Sequence, residues 1–307
     1  MSLQQTIATQ LVKQSLRASF KFTSTLPLPV SALRTGMELG ASLFPVNQQV
    51  GVNRTVIGGV AAELVSSQPQ AKQVILHCHG GAFFTGSAKT HRALASHLSV
   101  LSGADVYMLD YRLAPEHKFP AALEDVLAVL SWLPNQATQW QADMQKVAIA
   151  GDSAGANLAT VACYLTQGQA IQPKLQCLIY PVVDTTQERE SFSLFAEGYM
   201  LERQHMHFFI NHYLNHADER QDVRVSPLLI ADKSQQPPAL VFTAGFDPLR
   251  DEGLAYAQAL EQAGVNVNYH CFDDLIHGFL QLGKIPVAAQ AIDIIAKKVA
   301  DSWCRLS

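Results

Sequence analysis

From about residue 72 onward, short apolar runs alternate with longer segments whose apolar residues recur at helical spacing. Buried parallel strands joined by crossover helices produce this alternation, because helices cover both faces of the sheet. The pattern therefore predicts an α/β fold with a doubly wound, mostly parallel sheet. The predicted strands lie at residues 74–76, 106–109, 147–150, 175–180, 239–243 and 265–272, and a closing helix carries Ile292, Ile295, Val299 and Trp303.

Composition narrows the class of protein. Of 307 residues, 48% are hydrophobic and 16% are charged, which is a globular balance. The formal net charge of −4 gives no basic excess for a nucleic acid, so no such partner is expected. No apolar run is long enough to cross a membrane, so no membrane partner is expected either. The odd, scattered cysteines predict reduced thiols and a cytoplasmic location; they are Cys78, Cys163, Cys177, Cys271 and Cys304.

Two segments break the alternation and are predicted to form a helical cap. Residues 1–45 are predicted to form N-terminal cap helices, and residues 46–307 form the core, with a cap insertion at about 190–216. We expect both segments to lie as a lid over the carboxyl ends of the strands; the alternative is that they cover a sheet edge. The basic start of the chain also resembles a transit peptide, an alternative that we rank below a retained helix. The helical positions are Ile7, Leu11, Val12, Leu16 and Phe20, then Val30, Leu33, Met37, Ala41 and Phe44, and in the insertion Met206, Phe209 and Tyr213.

A serine stands between two glycines directly after the predicted strand at 147–150. Gly151 and Gly155 flank Ser153 in a GDSAG string, and a helical pattern follows. This strand–turn–helix setting is that of a nucleophile elbow, whose sharp turn brings backbone segments so close that only small residues fit. Ser153 is therefore the candidate nucleophile, and the alternative is a glycine-rich turn that binds nothing.

A second glycine-rich string, His79-Gly80-Gly81-Ala82, follows the first core strand. An oxyanion needs backbone N–H donors at close range, and glycine lets the main chain approach. Gly81 and Ala82 are the candidate donors here, with Ala154 after the nucleophile as a third. A metal site is the alternative, because His77 and His79 share a strand face and His212 and His216 stand four apart on a predicted helix. No further ligand pair supports it, so we expect no metal.

The general base and its acid are chosen by position, because the chain has 11 histidines. In α/β-hydrolase order the acid and then the histidine follow the serine. His277 follows the last strand, whereas His270 lies within it. Asp247 ends the preceding strand and is the preferred acid, and Asp184 and Asp251 remain the rivals.

Several motifs together resemble the bacterial hormone-sensitive-lipase-like (family IV) carboxylesterases, a branch of the α/β-hydrolases. The resemblance runs from about residue 72 to 284 and implies Ser153, Asp247 and His277 as a triad, an oxyanion hole from Gly81, Ala82 and Ala154, and a helical cap. Ala82 departs from the family, which usually has a third glycine there. Arg112 and Glu116 are expected to form a structural ion pair. The motifs are HGG at 79–81, YRLAPE at 111–116, FPAA at 119–122, GDSAG at 151–155, DPLRDEG at 247–253 and HGF at 277–279.

These residues predict a serine carboxylesterase that acts through an acyl-enzyme on short- to medium-chain esters and needs no cofactor. The expected partner is a small-molecule ester, and the sequence leaves a homodimer open. One alternative is an arylformamidase-like amidase, although such enzymes typically carry tryptophan where this chain has Phe83. The other is a small-molecule receptor without catalysis, against which His277 argues, because such receptors have replaced the histidine.

Overall fold

The computed structural model describes residues 29–42, 45–68, 71, 73–140 and 143–306, and one eight-stranded sheet organises this part of the chain. Its strands are β1 (Gly51–Ile57), β2 (Val60–Ser66), β3 (Val74–Cys78), β4 (Asp105–Asp110), β5 (Val147–Asp152), β6 (Leu175–Ile179), β7 (Ala239–Phe246) and β8 (Val267–Ile276). Their spatial order is β1-β2-β4-β3-β5-β6-β7-β8. The strand β2 is antiparallel to both neighbours, and all pairs from β4 to β8 are parallel. The predicted α/β class and all six predicted strands are confirmed.

The hairpin of β1 and β2 was not predicted from the sequence. Gly58 and Gly59 connect the two strands with φ values of +57° and +83°, and Ile57 pairs with Val60 across the turn. A two-residue turn with both φ values positive matches the twist of the flanking strands, and Gly-Gly is a typical sequence for it. The dipeptide between two runs of β-branched residues was therefore an available signal. Most of β1 is exposed, which weakened its apolar pattern.

Helices cover both faces of the sheet and bury two separate cores. The helices are α1 (Val30–Ala41), α2 (Arg92–Ser102), α3 (Ala121–Trp140), α4 (Ala154–Leu165), α5 (Glu190–Leu194), α6 (Arg203–Tyr213), α7 (Arg250–Gln262) and α8 (Pro286–Leu306). Leu130 of α3, Leu158 of α4 and Leu260 of α7 belong to the core on one face. Leu98 of α2 and Trp303 of α8 belong to the core on the other. This is the predicted doubly wound arrangement: the helix between β3 and β4 lies on one face of the sheet, and the helices after β4, β5 and β7 lie on the other.

The remaining helices correspond to the two predicted cap segments. Helix α1 confirms the predicted helix through Ala41, whereas Phe44 and the earlier helix with Ile7, Leu11, Val12, Leu16 and Phe20 lie outside the described residues. Helices α5 and α6 occupy the insertion, and α6 carries Met206, Phe209 and Tyr213 at the predicted helical spacing. The insertion therefore folds as helices between β6 and β7.

Two expectations from the sequence are wrong: an ion pair between Arg112 and Glu116, and a helix shared by His212 and His216. Arg112 does not pair with Glu116: its guanidinium contacts Asp125 at 2.8 Å and Glu124 at 3.1 Å, because it faces the first turns of α3. Glu116 instead contacts Arg34 of α1 at 2.7 Å.

His212 and His216 do not share a helix. Helix α6 ends at Tyr213, and the next residue, Leu214, is extended with ψ of 151°. The Asn215 amide donates to the Phe119 carbonyl at 2.8 Å, which holds the chain away from the helix axis. The spacing of four residues therefore does not place the two imidazoles on one helical face.

No helix within the described residues combines the length and the apolar character needed to cross a bilayer. Cys78, Cys163, Cys177 and Cys271 are free thiols. The first three are fully buried, and burial raises the pKa of each well above its ordinary value. The side chain of Cys304 lies outside the described residues.

Candidate active site

Ser153 stands on a strained turn between β5 and α4. Its φ and ψ are +55° and −119°, a region that non-glycine residues rarely adopt and that clusters at functional sites. A Cβ on Gly151 would come within 2.3 Å of the Gly155 carbonyl oxygen, and a Cβ on Gly155 within 2.0 Å of the Cys78 carbonyl oxygen. Both contacts are far inside van der Waals distance, so the predicted need for small residues on either side of Ser153 is confirmed.

The Ser153 hydroxyl, the His277 imidazole and the Asp247 carboxylate form one hydrogen-bonded line. The Ser153 Oγ lies 3.1 Å from His277 Nε2, and His277 Nδ1 lies 2.8 Å from Asp247 Oδ2. The other oxygen of Asp247 accepts the Leu249 N–H at 2.8 Å, which fixes the carboxylate. A carboxylate against Nδ1 favours the tautomer with its proton there and leaves Nε2 as an acceptor for the serine proton. All three side chains are buried.

The rival acids and the rival histidine make other contacts. Asp184 accepts from Thr186 at 2.6 Å and from Gln187 at 2.9 Å, and burial is offset by these bonds, so its pKa is lowered. Asp251 accepts the Ser191 N–H at 2.7 Å. His270 lies within β8 and packs edge-on against Phe272, as expected from its position.

The loop after β3 lines the same cavity as Ser153, through Gly81 and Ala82. Gly81, Ala82 and Phe83 have φ values of +123°, +55° and +66°, and a Cβ on Gly81 would lie 2.2 Å from the Thr85 carbonyl oxygen. The Phe84 and Thr85 N–H groups donate to the Gly81 carbonyl at 3.1 and 2.9 Å and close the turn. Within the described residues, the Gly81 and Ala82 N–H groups make no such bond. Two left-handed non-glycine residues in succession are costly, and strain of this kind clusters at functional sites.

Asp152 was not singled out as a functional residue in the sequence, yet it connects the two glycine-rich turns. One carboxylate oxygen accepts the Gly80 N–H at 2.9 Å, and His91 Nε2 lies 3.1 Å from the same carboxylate. Although burial opposes the charge, His91, His77 and the Gly80 N–H stabilise it, and the pKa of Asp152 is lowered to about 2. The carboxylate therefore holds the turn after β3 against the turn that carries Ser153. The contacts span 72 and 61 residues, which is why spacing in the sequence did not reveal them.

His77 and His79, the two strand histidines of the metal alternative, belong to this buried cluster. The His77 and His79 rings lie 5.7 and 5.8 Å from the His91 ring, between centroids. Burial lowers the pKa of His77 to about 3 and that of His79 to about 4, so both are neutral. The His79 carbonyl accepts the Tyr111 hydroxyl at 2.5 Å. In the described part of the chain, no three histidine, cysteine or acidic side chains are placed to hold a metal ion.

A cavity of about 210 Å³ opens above Ser153 and His277. Tyr180, whose ring lies 4.6 Å from the His277 ring, forms part of its floor. Most of the apolar wall comes from the two segments that were predicted to form a cap, through Met37 of α1 and Met200, Leu201, Met206, Phe209 and Ile210 of the insertion. The volume lies below the range of roughly 300–1,000 Å³ that is common for small-molecule sites. We call this space the active-site cavity.

Comparison with known proteins agrees with this geometry. A family model described as alpha/beta hydrolase fold matches residues 75–281. The chain belongs to this family. Within it, this α/β-hydrolase is a member of the hormone-sensitive-lipase-like branch that the motifs indicated.

The α/β-hydrolase is similar to proteins that carry esterase names. It is 39% identical over 217 residues to ethyl acetate hydrolase of Pseudomonas putida, covering 70% of this chain and 68% of that protein. An esterase of Acinetobacter venetianus is 34% identical over 285 residues, 92% of each chain. A solved ester hydrolase from the metagenome of Lake Arreo, complexed with a bipyridine phosphonate derivative, has a TM-score of 0.84 at 33% identity, covering 96% of this chain and 98% of that one.

Proposed function

We propose that this protein is a serine carboxylesterase that cleaves short- to medium-chain carboxylic esters, with Ser153 as nucleophile, His277 as base and Asp247 as the acid that orients it. The observation that carries the proposal is the continuous line from Ser153 Oγ through both imidazole nitrogens to Asp247, with separations of 3.1 and 2.8 Å. Both are hydrogen-bond distances for a nucleophile and its base. The esterase names of the relatives support the same reaction.

In the first half of the reaction, Ser153 Oγ attacks the ester carbonyl carbon while its proton passes to His277 Nε2. The carbonyl oxygen becomes an oxyanion, and the N–H groups of Gly81, Ala82 and Ala154 are its proposed donors. His79, Gly80, Gly151 and Gly155 support these positions. When the carbonyl reforms, the bond to the alcohol oxygen breaks, and the alcohol leaves with the proton from Nε2. The acyl group remains on Ser153.

In the second half, water replaces the alcohol. His277 Nε2 takes a proton from the water as its oxygen attacks the acyl carbon, and the same donors stabilise the second oxyanion. Collapse of this intermediate breaks the bond to Ser153 Oγ, which recovers its proton from His277. The products are one carboxylic acid and one alcohol, and the enzyme returns to its starting state. No cofactor is needed for any of these steps.

Neither alternative activity gains support from the residues described at the site. A receptor without catalysis would not need His277 within hydrogen-bond distance of Ser153, as it is here. An amidase would share the triad, but Phe83 stands where arylformamidases typically have tryptophan, and it stacks on Tyr213 with centroids 3.7 Å apart. Parallel assays on an anilide and its matching ester separate the two reactions.

The cap, the location and the assembly are part of the proposal. We assign residues 1–45 and 190–216 to a cap over a core of residues 46–307, because both segments contribute side chains to the active-site cavity. The free thiols at four cysteines support a cytoplasmic protein. A homodimer is kept as a hypothesis, which sedimentation velocity at several protein concentrations tests.

The decisive experiment is replacement of the nucleophile. Ser153→Ala is expected to lower kcat on a 4-nitrophenyl ester by roughly 10⁴–10⁶-fold while the protein stays folded, because the triad acts as a unit. A fluorophosphonate should label the wild type once and the variant not at all. Ser131→Ala is the matched control, since Ser131 is exposed on α3. A folded Ser153→Ala protein with near wild-type turnover would refute the mechanism.

A further inference from the structure

Arg34 of α1 connects three separate segments around the active site. Its Nε donates to the Phe84 carbonyl at 2.7 Å, and its Nη2 donates to the Ala114 carbonyl at 2.9 Å. The Nη1 and Nη2 groups also donate to the two carboxylate oxygens of Glu116 at 2.9 and 2.7 Å. The planar, rigid fork of a guanidinium suits this task, because it can serve a bidentate carboxylate and fixed carbonyls together.

Within the part of the chain that the structure describes, helix α1 has few other attachments. None of its residues is buried, and Val30 and Leu33 pack against the core only with their half-buried sides. The ion pair between Lys89 and Glu38 is 3.4 Å long, and both side chains are more than two-fifths exposed, so it contributes little in water. The bonds of Arg34 are therefore the main polar link between α1 and the rest of the protein.

The segments that Arg34 joins both contain residues of the proposed active site. Met37, one turn after Arg34 on α1, lines the active-site cavity. On the other side, Phe84 belongs to the turn in which its own N–H donates to the Gly81 carbonyl at 3.1 Å, and the same turn offers the Gly81 and Ala82 N–H groups. A displacement of Arg34 would therefore move a wall of the cavity and loosen this turn of residues 81–85, which we call the oxyanion turn.

We propose that Arg34 is a positioning residue for ester hydrolysis. It fixes α1, and with it Met37, as one wall of the active-site cavity, and it steadies the turn that supplies the oxyanion donors. This inference rests on the proposed esterase function. Arg34 touches none of the reacting atoms, and because α1 buries no residue, the core does not depend on it.

The first test compares kcat and KM of Arg34→Ala with wild type on 4-nitrophenyl acetate and hexanoate. Loss of hydrogen bonds to a charged donor is expected to lower kcat/KM for the hexanoate by about 10- to 100-fold. The loss for the acetate should be smaller, because a short acyl group makes less use of the wall. The pH profile and fluorophosphonate labelling should be retained, since the triad is intact.

Two forms of rescue distinguish the guanidinium from a general structural role. Arg34→Lys keeps the charge but lacks the fork, so its kcat/KM should fall between those of Arg34→Ala and wild type. The Arg34 side chain is 30% exposed, so free guanidinium ion can reach the space left by Arg34→Ala. Millimolar guanidinium chloride should restore part of the hexanoate activity, whereas equimolar sodium chloride should not.

A double-mutant cycle tests whether Arg34 acts through the wall. Met37→Ala alone should lower the hexanoate-to-acetate ratio of kcat/KM, and in the Arg34→Ala background it should change that ratio little further. Coupled residues show such non-additivity, whereas independent ones do not. Glu116→Gln weakens the contact between Arg34 and Glu116 but leaves the Arg34 bonds to the Phe84 and Ala114 carbonyls. It should lower kcat/KM for the hexanoate as Arg34→Ala does, by only about threefold.

Lys89→Ala is the matched control, because it removes the ion pair between Lys89 and Glu38 of α1 and Lys89 contacts neither the oxyanion turn nor the cavity among the described residues. Its kcat/KM should stay within about twofold of wild type on both esters. The proposal is overturned if Arg34→Ala stays within the same limit on both esters, or if the Arg34 and Met37 effects combine independently. Failure of the esterase function itself appears differently, as activity that survives Ser153→Ala.

Discussion

The two sides of the active-site cavity are built in different ways. On the sheet side, Ser153, Asp247 and His277 follow the ends of β5, β7 and β8, and all three are buried. On the side of the proposed cap, α1 buries no residue, whereas α6 buries Met206, Ile210 and Tyr213 and leaves Phe208 42% exposed. Elements with many buried contacts open only with global unfolding, whereas sparsely packed ones open locally. The candidate catalytic side chains are therefore held by the core, whereas the cavity wall that Met37 supplies stands on a helix with no buried residue.

The largest expected effect lies on the sheet side. Asp247→Asn should lower kcat by about 10⁴-fold, because an amide no longer favours the imidazole tautomer that accepts the serine proton. Asp184→Asn is the matched control: Asp184 is also buried after a strand, but its bonds go to Thr186 and Gln187. Steady-state kinetics on 4-nitrophenyl butyrate measures both. If Asp184→Asn were the more damaging change, the acid would be wrongly assigned.

The sheet side was predictable from sequence because its geometry is local to strand ends. A strand, a sharp turn and a helix place Ser153 wherever they occur, and the order of Asp247 and His277 follows from the parallel sheet. The link between Arg34 and Glu116 was missed, because its partners are 82 residues apart and each had a nearer candidate of opposite charge. Contacts between loops depend on how surfaces meet, which periodicity does not encode.

The next effect concerns the cap side and the length of the acyl chain. The active-site cavity holds about 210 Å³, and each added methylene gains roughly 0.8 kcal/mol only while there is apolar wall to cover it. Beyond that length the chain must displace the cap, and overpacking costs roughly 1–3 kcal/mol. The specificity constant should therefore rise from acetyl to about hexanoyl and then fall by about 5- to 150-fold towards palmitoyl.

The measurement is kcat/KM on 4-nitrophenyl esters of two to sixteen carbons, each kept below its micelle concentration. Met206→Ala sharpens the result, because Met206 also lines a second cavity of about 240 Å³ beside Asp184 and His207. Its removal should join the two spaces and shift the optimum to longer chains, whereas Met206→Leu should not. A wild-type maximum at twelve carbons or more would contradict both the pocket and the choice of esterase over lipase.

A smaller effect, on stability, is expected from a buried carboxyl behind the triad. Glu252 of α7 accepts the Val183 N–H at 2.8 Å and the Asp184 N–H at 3.3 Å. Burial raises its pKa to about 8 despite these two bonds, and the charges of Asp184 and Asp247 raise it further. Because this folded value exceeds the ordinary 4.5, the protonated carboxyl stabilises the fold fully below pH 4.5, and that contribution is lost as pH rises towards 8.

Glu252→Gln cannot ionise and should remove this pH dependence. The free energy of unfolding should match wild type near pH 5 and exceed it by several kcal/mol near pH 9. Thermal unfolding at both values measures the gap in Tm. Glu261→Gln on the same helix is the control, because Glu261 is exposed. A gap that is equal at pH 5 and pH 9 would contradict the raised pKa of Glu252.

The smallest expected effect is at the point where the two sides meet, in the oxyanion turn. Ala82 has φ of +55°, and an L-residue in that region costs roughly 1–2 kcal/mol that glycine avoids. Glycine, in turn, gives the unfolded chain more freedom, which lowers stability by roughly 0.4–1 kcal/mol. The two terms nearly cancel, so Ala82→Gly should change Tm by no more than about 4 °C. Ala156→Gly, within α4, relieves no left-handed backbone strain and should be clearly destabilising.

Removal of the Ala82 methyl from the cavity wall should raise kcat/KM for branched esters by only a few fold. A large loss of stability in Ala82→Gly but not in Ala156→Gly would mean that packing of that methyl, rather than the backbone of the turn, holds the oxyanion donors in place.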